Sequence, residues 1–248
     1  MFQTDLVYPQ EKGEIQITTA FGFHRASKRS IARIPFVVEY GITDKWQVEA
    51  EWDAFTRLKR DGLPVERGQG DLSIATKYSF MKIAGSDFHA AVGFELVAPL
   101  GDAERGMGEG VIEYEPFFIL AKDFPKLKNL QVFTQIGVGL VQRGRSEGDD
   151  DDEPAAHELN WNTGFFVPVH ALVLTTEFNW SSNKWNNGGQ DKEMYFTPGV
   201  VWKLPGTWEV GVGAPIGLNS GADKFRAIFK LTYEIGGRES GENISTSK

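Results

Sequence analysis

Residues 46–54 read Trp-Gln-Val-Glu-Ala-Glu-Trp-Asp-Ala. Trp46, Val48, Ala50, Trp52 and Ala54 alternate strictly with Gln47, Glu49, Glu51 and Asp53. A helix would scatter those carboxylates around its circumference, whereas a strand sets all of them on one side. The segment before it repeats the pattern, with Ile34, Phe36, Val38 and Tyr40 facing opposite Arg33 and Glu39. Residues 41–44 between them make a short, turn-like connection.

About twelve such segments follow one another, near 13–25, 30–41, 45–58, 69–82, 87–100, 111–123, 130–144, 157–169, 171–182, 192–204, 207–218 and 223–236. Helical periodicity competes nowhere. Regular strands punctuated by turns mean an all-β sandwich or barrel. The connections separate the two. Every second linker is short: 41–44, 83–86, 124–129, 169–170 and 205–206. The alternate set is mostly longer and more polar, at 59–68, 101–110, 145–156 and 182–191, with 26–29 and 219–222 as short members. One end thus carries tight turns and the other long loops. This is the pattern of a transmembrane up-and-down antiparallel β-barrel with short periplasmic turns and longer external loops. Residues 1–12 read as an N-terminal lead-in, 13–237 as the barrel and 238–248 as a flexible polar tail.

Composition removes other classes. Among 248 residues, 18 Phe, 7 Trp and 6 Tyr are too apolar a set for a disordered chain. The net charge of -8 disfavours nucleic acid as a partner. With no cysteine, thiol catalysis and Cys-ligated zinc are excluded. No stretch approaches the roughly 20 apolar residues of a transmembrane helix, a test to which a barrel is blind. Met1-Phe2-Gln3-Thr4-Asp5 shows no secretory signal, which fits a cytoplasmic protein or a chain whose signal has been removed.

The two faces suit a bilayer. One carries Ile17, Phe21, Phe36, Trp46, Trp52, Ile74, Tyr78, Phe94, Ile136, Leu174, Phe178, Trp208, Phe229 and Tyr233, with aromatics toward strand ends, as interfacial girdles have them. The other carries charges and amides. Some twelve strands enclose an interior too wide for side chains alone to fill. A polar lumen with lipid outside is the better solution. Arg33, Glu39, Glu49, Glu51, Asp53, Lys77, Glu95, Glu113, Glu115, Glu177, Arg226 and Lys230 are the candidate lumen-lining residues. Two readings of these charges stand side by side: a constriction that selects small solutes, cations over anions, or a hydrated salt-bridge network that stiffens or plugs the barrel.

A family resemblance is carried by Thr175-Thr176-Glu177-Phe178-Asn179, by Tyr195-Phe196-Thr197-Pro198-Gly199-Val200-Val201-Trp202, and by Trp208-Glu209-Val210-Gly211-Val212-Gly213-Ala214-Pro215-Ile216-Gly217-Leu218. Earlier hairpins contribute Tyr40-Gly41-Ile42-Thr43-Asp44-Lys45-Trp46-Gln47-Val48 and Gly70-Asp71-Leu72-Ser73-Ile74-Ala75-Thr76-Lys77-Tyr78. Together they resemble the phenol-degradation meta-pathway family of outer-membrane barrels, whose members are called transporters. The resemblance implies a bacterial outer membrane and passage of small, often aromatic or apolar molecules. It implies no catalytic residues. Barrels of that kind commonly end in an aromatic residue, whereas this last strand ends near Ile235 and a polar tail follows.

Other motifs are weaker. Asp149, Asp150, Asp151, Asp152 and Glu153 form an acidic run in an external loop. Calcium or magnesium binding is one reading, but the run lacks the ligand alternation and central Gly of an EF-hand, and a solvated charge run is the plainer one. His24 and His89 point to the lumen, as do Ser73 and Ser79, yet nothing places a serine beside a histidine for hydrolysis. Gly106-Met107-Gly108-Glu109-Gly110 is glycine-rich but opens no βα unit, so it is no phosphate cradle. The expectation is therefore a channel or passive transporter with no cofactor, its partners being outer-membrane lipid, lipopolysaccharide and a small-molecule solute. The alternatives are an outer-membrane enzyme acting on lipid or lipopolysaccharide, a closed structural barrel, and a soluble β ligand-binder.

Overall fold

The structure, a computed structural model, describes residues 1–141, 157–183 and 191–236. Fourteen strand segments appear: β1 (Ile15–Arg25), β2 (Arg29–Thr43), β3 (Trp46–Arg60), β4 (Glu66–Gly68), β5 (Leu72–Phe80), β6 (Phe88–Ala98), β7 (Glu113–Phe124), β8 (Leu130–Val141), β9 (Glu158–Val169), β10 (Leu172–Asn183), β11 (Asp191–Lys203), β12 (Trp208–Gly213), β13 (Ile216–Gly217) and β14 (Phe225–Ile235). They make twelve staves. The short β4 runs on into β5 against β3, and β13 continues β12 past Ala214 and Pro215 against β11. Each stave pairs antiparallel with the next, and β1 pairs with β14 from Ile15↔Ile235 to Arg25↔Phe225. The ring is closed, so no sheet edge is left unpaired in lipid.

At the tight-turn end the connection expected at 41–44 is shorter than the sequence suggests, while those expected at 83–86 and 205–206 run from Phe80 to Phe88 and from Lys203 to Trp208. β2 and β3 pair as far as Thr43↔Trp46, with a bulge beyond Gly41, so only two residues turn. β9 and β10 close likewise at Val169↔Leu172, where His170 takes the left-handed conformation at φ 58°. The stave expected at 69–82 is broken instead. Residues 69–71 leave the ladder, and Gly70 N–H donates to the Asp53 carbonyl at 2.8 Å.

The outer wall is apolar. Phe21, Phe36, Trp52, Ile74, Phe94, Ile136, Leu174, Phe196 and Phe229 are all between 38% and 54% exposed, a degree that only a lipid surround makes favourable over so wide a belt. Polar atoms on that wall find partners on the next strand. Trp46 Nε1–H donates to Thr76 Oγ1 at 2.7 Å, and Trp161 Nε1–H to Thr134 Oγ1 at 2.9 Å. Tyr40, Trp46, Tyr78, Trp202, Trp208 and Tyr233 gather toward the tight-turn end as an aromatic girdle, with the Trp208 and Tyr233 rings 4.6 Å apart.

The hydrophobic core lies inside the barrel, on one wall. Ala91, Phe117, Ile119, Ala121 and Phe133, facing inward from β6, β7 and β8, surround Val7, which is fully buried. Gly93 makes the room: a Cβ there would lie 2.1 Å from the Phe117 ring.

Candidate functional site

The residues before β1 enter the lumen from the tight-turn end and cross it as a strap. Gly13 N–H pairs with the Gly41 carbonyl at 2.7 Å, and Gln10 N–H with Gln47 Oε1 at 2.9 Å. Tyr8 meets the β7–β8 wall, where its hydroxyl hydrogen-bonds the Asp123 carboxylate at 2.8 Å and accepts from Gln131 Nε2 at 2.7 Å. Burial, with the Asp123 carboxylate beside it, holds the Tyr8 phenol well above the usual tyrosine range. Ser79 Oγ–H donates to the Val7 carbonyl at 2.7 Å, and the Lys77 ammonium to that of Leu6. Asp5 N–H reaches Gln135 Oε1 at 3.1 Å.

The strap ends against the opposite wall. Glu177, fully buried on β10, accepts from the N–H of Phe2 at 2.9 Å, the N–H of Gln3 at 3.1 Å and the Thr4 hydroxyl at 2.7 Å. Such charge-assisted bonds are the stronger kind. The Phe2 ring fills a recess in β11 and β12 that exists because Gly199, Gly211 and Gly213 have no side chains; a Cβ on Gly199 would come within 2.3 Å of the ring. Lys230 Nζ–H donates to the Met1 carbonyl at 2.6 Å.

Beside the strap a cavity of about 700 Å³ remains. Ten carboxylate residues line it against four cationic ones, Lys77, Lys203, Arg226 and Lys230. Those cations are engaged. Lys77 and Lys230 hold strap carbonyls, and Lys203 pairs with Glu209 at 3.2 Å. Arg226 pairs with Asp223 and Glu193 at 3.0 Å each and lies 4.0 Å over the Tyr195 ring. Glu49, Glu51, Glu95 and Glu115 make no ion pair within 4.0 Å among the described residues, though Glu115 accepts from Asn160 Nδ2 at 3.4 Å. The lining therefore holds an excess of carboxyl groups over cationic ones.

Of the residues singled out from sequence, Glu39, Glu49, Glu51, Lys77, Glu95, Glu115, Arg226 and Lys230 line this one cavity. Arg33 and Asp53 face each other at 3.7 Å nearer the loop end. Glu113 lies against Gly139, where a Cβ would stand 2.0 Å from its carboxylate. Glu177 is not on the cavity surface, because it is covered by the strap it binds. The acidic run at 149–153 lies outside the described residues. His24 Nδ1 stands 3.7 Å from Asp223. His89 accepts from Lys82 N–H at Nδ1 (3.1 Å) and meets Asp123 at Nε2 (3.0 Å), while the Ser79 hydroxyl is spent on Val7. No serine is brought to a histidine in this group.

The strap escaped the sequence reading. Two signals for it exist. Phe2, Leu6, Val7 and Tyr8 give the lead-in an apolar character that a solvated leader does not need. Residues 117–121, Phe-Phe-Ile-Leu-Ala, are apolar on both faces of β7, which implies something apolar inside to meet them.

No family model matches the chain, and no curated protein matches it. Solved structures do. An outer membrane channel from Pseudomonas putida F1 superposes with a TM-score of 0.69 at 12% identity, over 94% of this chain and 100% of that one. The NanC porin gives 0.61 at 10% identity, over 89% and 100%. The KdgM porin gives 0.56 at 9% identity, over 89% and 99%. At these identities the likeness is one of fold. The chain folds as outer-membrane channels and porins do, an all-β closed antiparallel barrel of twelve staves.

Proposed function

We propose that this chain is an outer-membrane channel that passes small solutes through a negatively charged lumen, alongside a strap that narrows the path. The observation that carries this reading is the imbalance in the cavity. Its carboxylates outnumber its cations, and the cations are occupied by the strap or by their own partners. A stiffening network would pair its charges, whereas among the described residues Glu49, Glu51 and Glu95 form no ion pair. The apolar, lipid-facing outer wall supports the location in an outer membrane. The likeness to channels and porins supports the class of activity without naming a solute. The aromatic or apolar solutes implied by the phenol-degradation family likeness belong to this proposal as one class to be tried. Lowering a barrier needs no covalent chemistry, so no residue is assigned a catalytic role.

Conductance of the refolded protein in a planar bilayer tests the reading, after a heat-shift gel has verified a folded barrel. Discrete steps support a continuous aqueous path past the strap. Silence from an inserted barrel overturns it in favour of a closed barrel.

A further inference from the structure

The outer wall carries a charge pattern that lumen transport does not use. Every strand carboxylate whose side chain is described faces inward: Glu39, Glu49, Glu51 and Asp53 on β2 and β3 and their counterparts around the ring follow from the register and the alternation. A bulge at Ala54, where Pro35 pairs with Asp53 but Ile34 with Phe55, reverses the alternation of β3 beyond it, so that Phe55 is exposed and Thr56 and Leu58 are buried. Among the described residues the strand charges placed on the outside are then all cationic, at Arg25, Arg57, Lys59, Arg67, Lys122 and Lys192. Four of the six share one wall at the loop end. Arg25 lies in one row with Ser30 and Lys59 across β1, β2 and β3. Arg57 follows two residues below Lys59 and pairs directly with Arg67 on β4. With strands about 4.8 Å apart and same-face neighbours about 6.7 Å apart along a strand, the four heads fall in a patch roughly 15 Å across.

Two features mark this patch as built for an anion. Arg57 and Arg67 stand opposite one another, and like charges directly across a strand pair repel. Among the described residues none of the four forms an ion pair. Lys122, at the other end, differs: its ammonium lies 4.6 Å from the Phe88 ring centroid and 5.1 Å from that of Phe124. Directly below the four cations the wall turns apolar, with Phe21, Ile34, Phe55 and Trp52 exposed. Acyl chains would lie on those side chains and a headgroup on the cations.

We propose that the loop-end wall of β1, β3 and β4 binds the phosphates of a lipopolysaccharide in the outer leaflet through Arg25, Arg57, Lys59 and Arg67. The assignment rests on the outer-membrane reading, which puts the loop end outside. Guanidinium groups suit the task because they grip phosphate with two parallel N–H donors.

Native mass spectrometry of the detergent-solubilised protein with bisphosphorylated lipid A tests the site. The same lipid stripped of its phosphates, and inorganic phosphate alone, serve as comparisons. The combined variant Arg25→Gln, Arg57→Gln, Lys59→Gln and Arg67→Gln is expected to bind lipid A at least roughly tenfold more weakly. The pair Lys122→Gln and Lys192→Gln is expected to bind like the parent. Equal binding by the fourfold variant, or equal binding of the phosphate-free lipid, overturns the proposal. Displacement of lipid A by inorganic phosphate at equal concentration also overturns it, since the site would then be one for a free anion. A heat-shift gel shows that the variant is folded. Bilayer conductance separates the two readings, because these side chains face away from the lumen: a silent channel that still binds lipid A fails only the transport reading.

Discussion

The Glu177 carboxylate and the Phe2 amide are separated by 175 positions in the chain and by 2.9 Å across the barrel interior. Together with the Gln3 and Thr4 bonds to the same carboxylate, this contact ties the strap to the wall opposite its point of entry. Glu177→Ala removes the acceptor for two amides and a hydroxyl, at a cost of about 2–4 kcal/mol to the docked strap. Hydrogen exchange at Phe2 and Gln3 should speed up on the order of 100-fold, with barrel amides unchanged. Unaltered exchange would show that the strap is held by something else.

Val7 is fully buried among Ala91, Phe117, Ile119, Ala121 and Phe133. Because the chain has no cysteine, Val7→Cys gives a single thiol. It should react with a maleimide on the order of 100-fold more slowly than Leu63→Cys, whose site is 58% exposed. Similar rates would mean that the strap spends much of its time out of the lumen.

The closeness of Gly93 to the Phe117 ring predicts a stability effect. Gly93→Val should destabilise the barrel by about 1–3 kcal/mol and lower its unfolding temperature on a heat-shift gel. Adding Phe117→Leu should recover part of that loss, a coupling that independent sites would not show.

The Tyr8 contact has a defined pH window. Its phenol is raised above the ordinary tyrosine value by burial first and by Asp123 next. The stability it contributes is therefore complete below about pH 10, the unfolded value, and is lost as pH climbs beyond it. Protease protection of residues 1–12 should hold through neutral pH and fall in the alkaline range. In Tyr8→Phe it should be weaker and lose that alkaline fall.

Alternation made the barrel legible. Residues such as Trp46 to Ala54 declare both a strand and its two faces, and the lengths of successive linkers declare the order. Strand ends were less legible, since the bulge past Gly41 and the break at residues 69–71 depend on partners across the ladder. The contents of the lumen were the least legible part. Periodicity tells which way Glu177 points but not that a backbone segment waits there to be bound. It likewise marks the positions of Gly199 and Gly213 without revealing that their missing side chains admit Phe2. Contacts of such sequence separation leave no local pattern.

The ion selectivity of the open pore tests the central claim most directly. Under a KCl gradient in a planar bilayer, the reversal potential should show cation preference, and Glu49→Gln, Glu51→Gln and Glu115→Gln together should move it toward zero while conductance persists. A reversal potential at zero or of anionic sign in the parent protein, or one that the triple variant leaves unchanged, would contradict a path through the carboxylate-lined lumen.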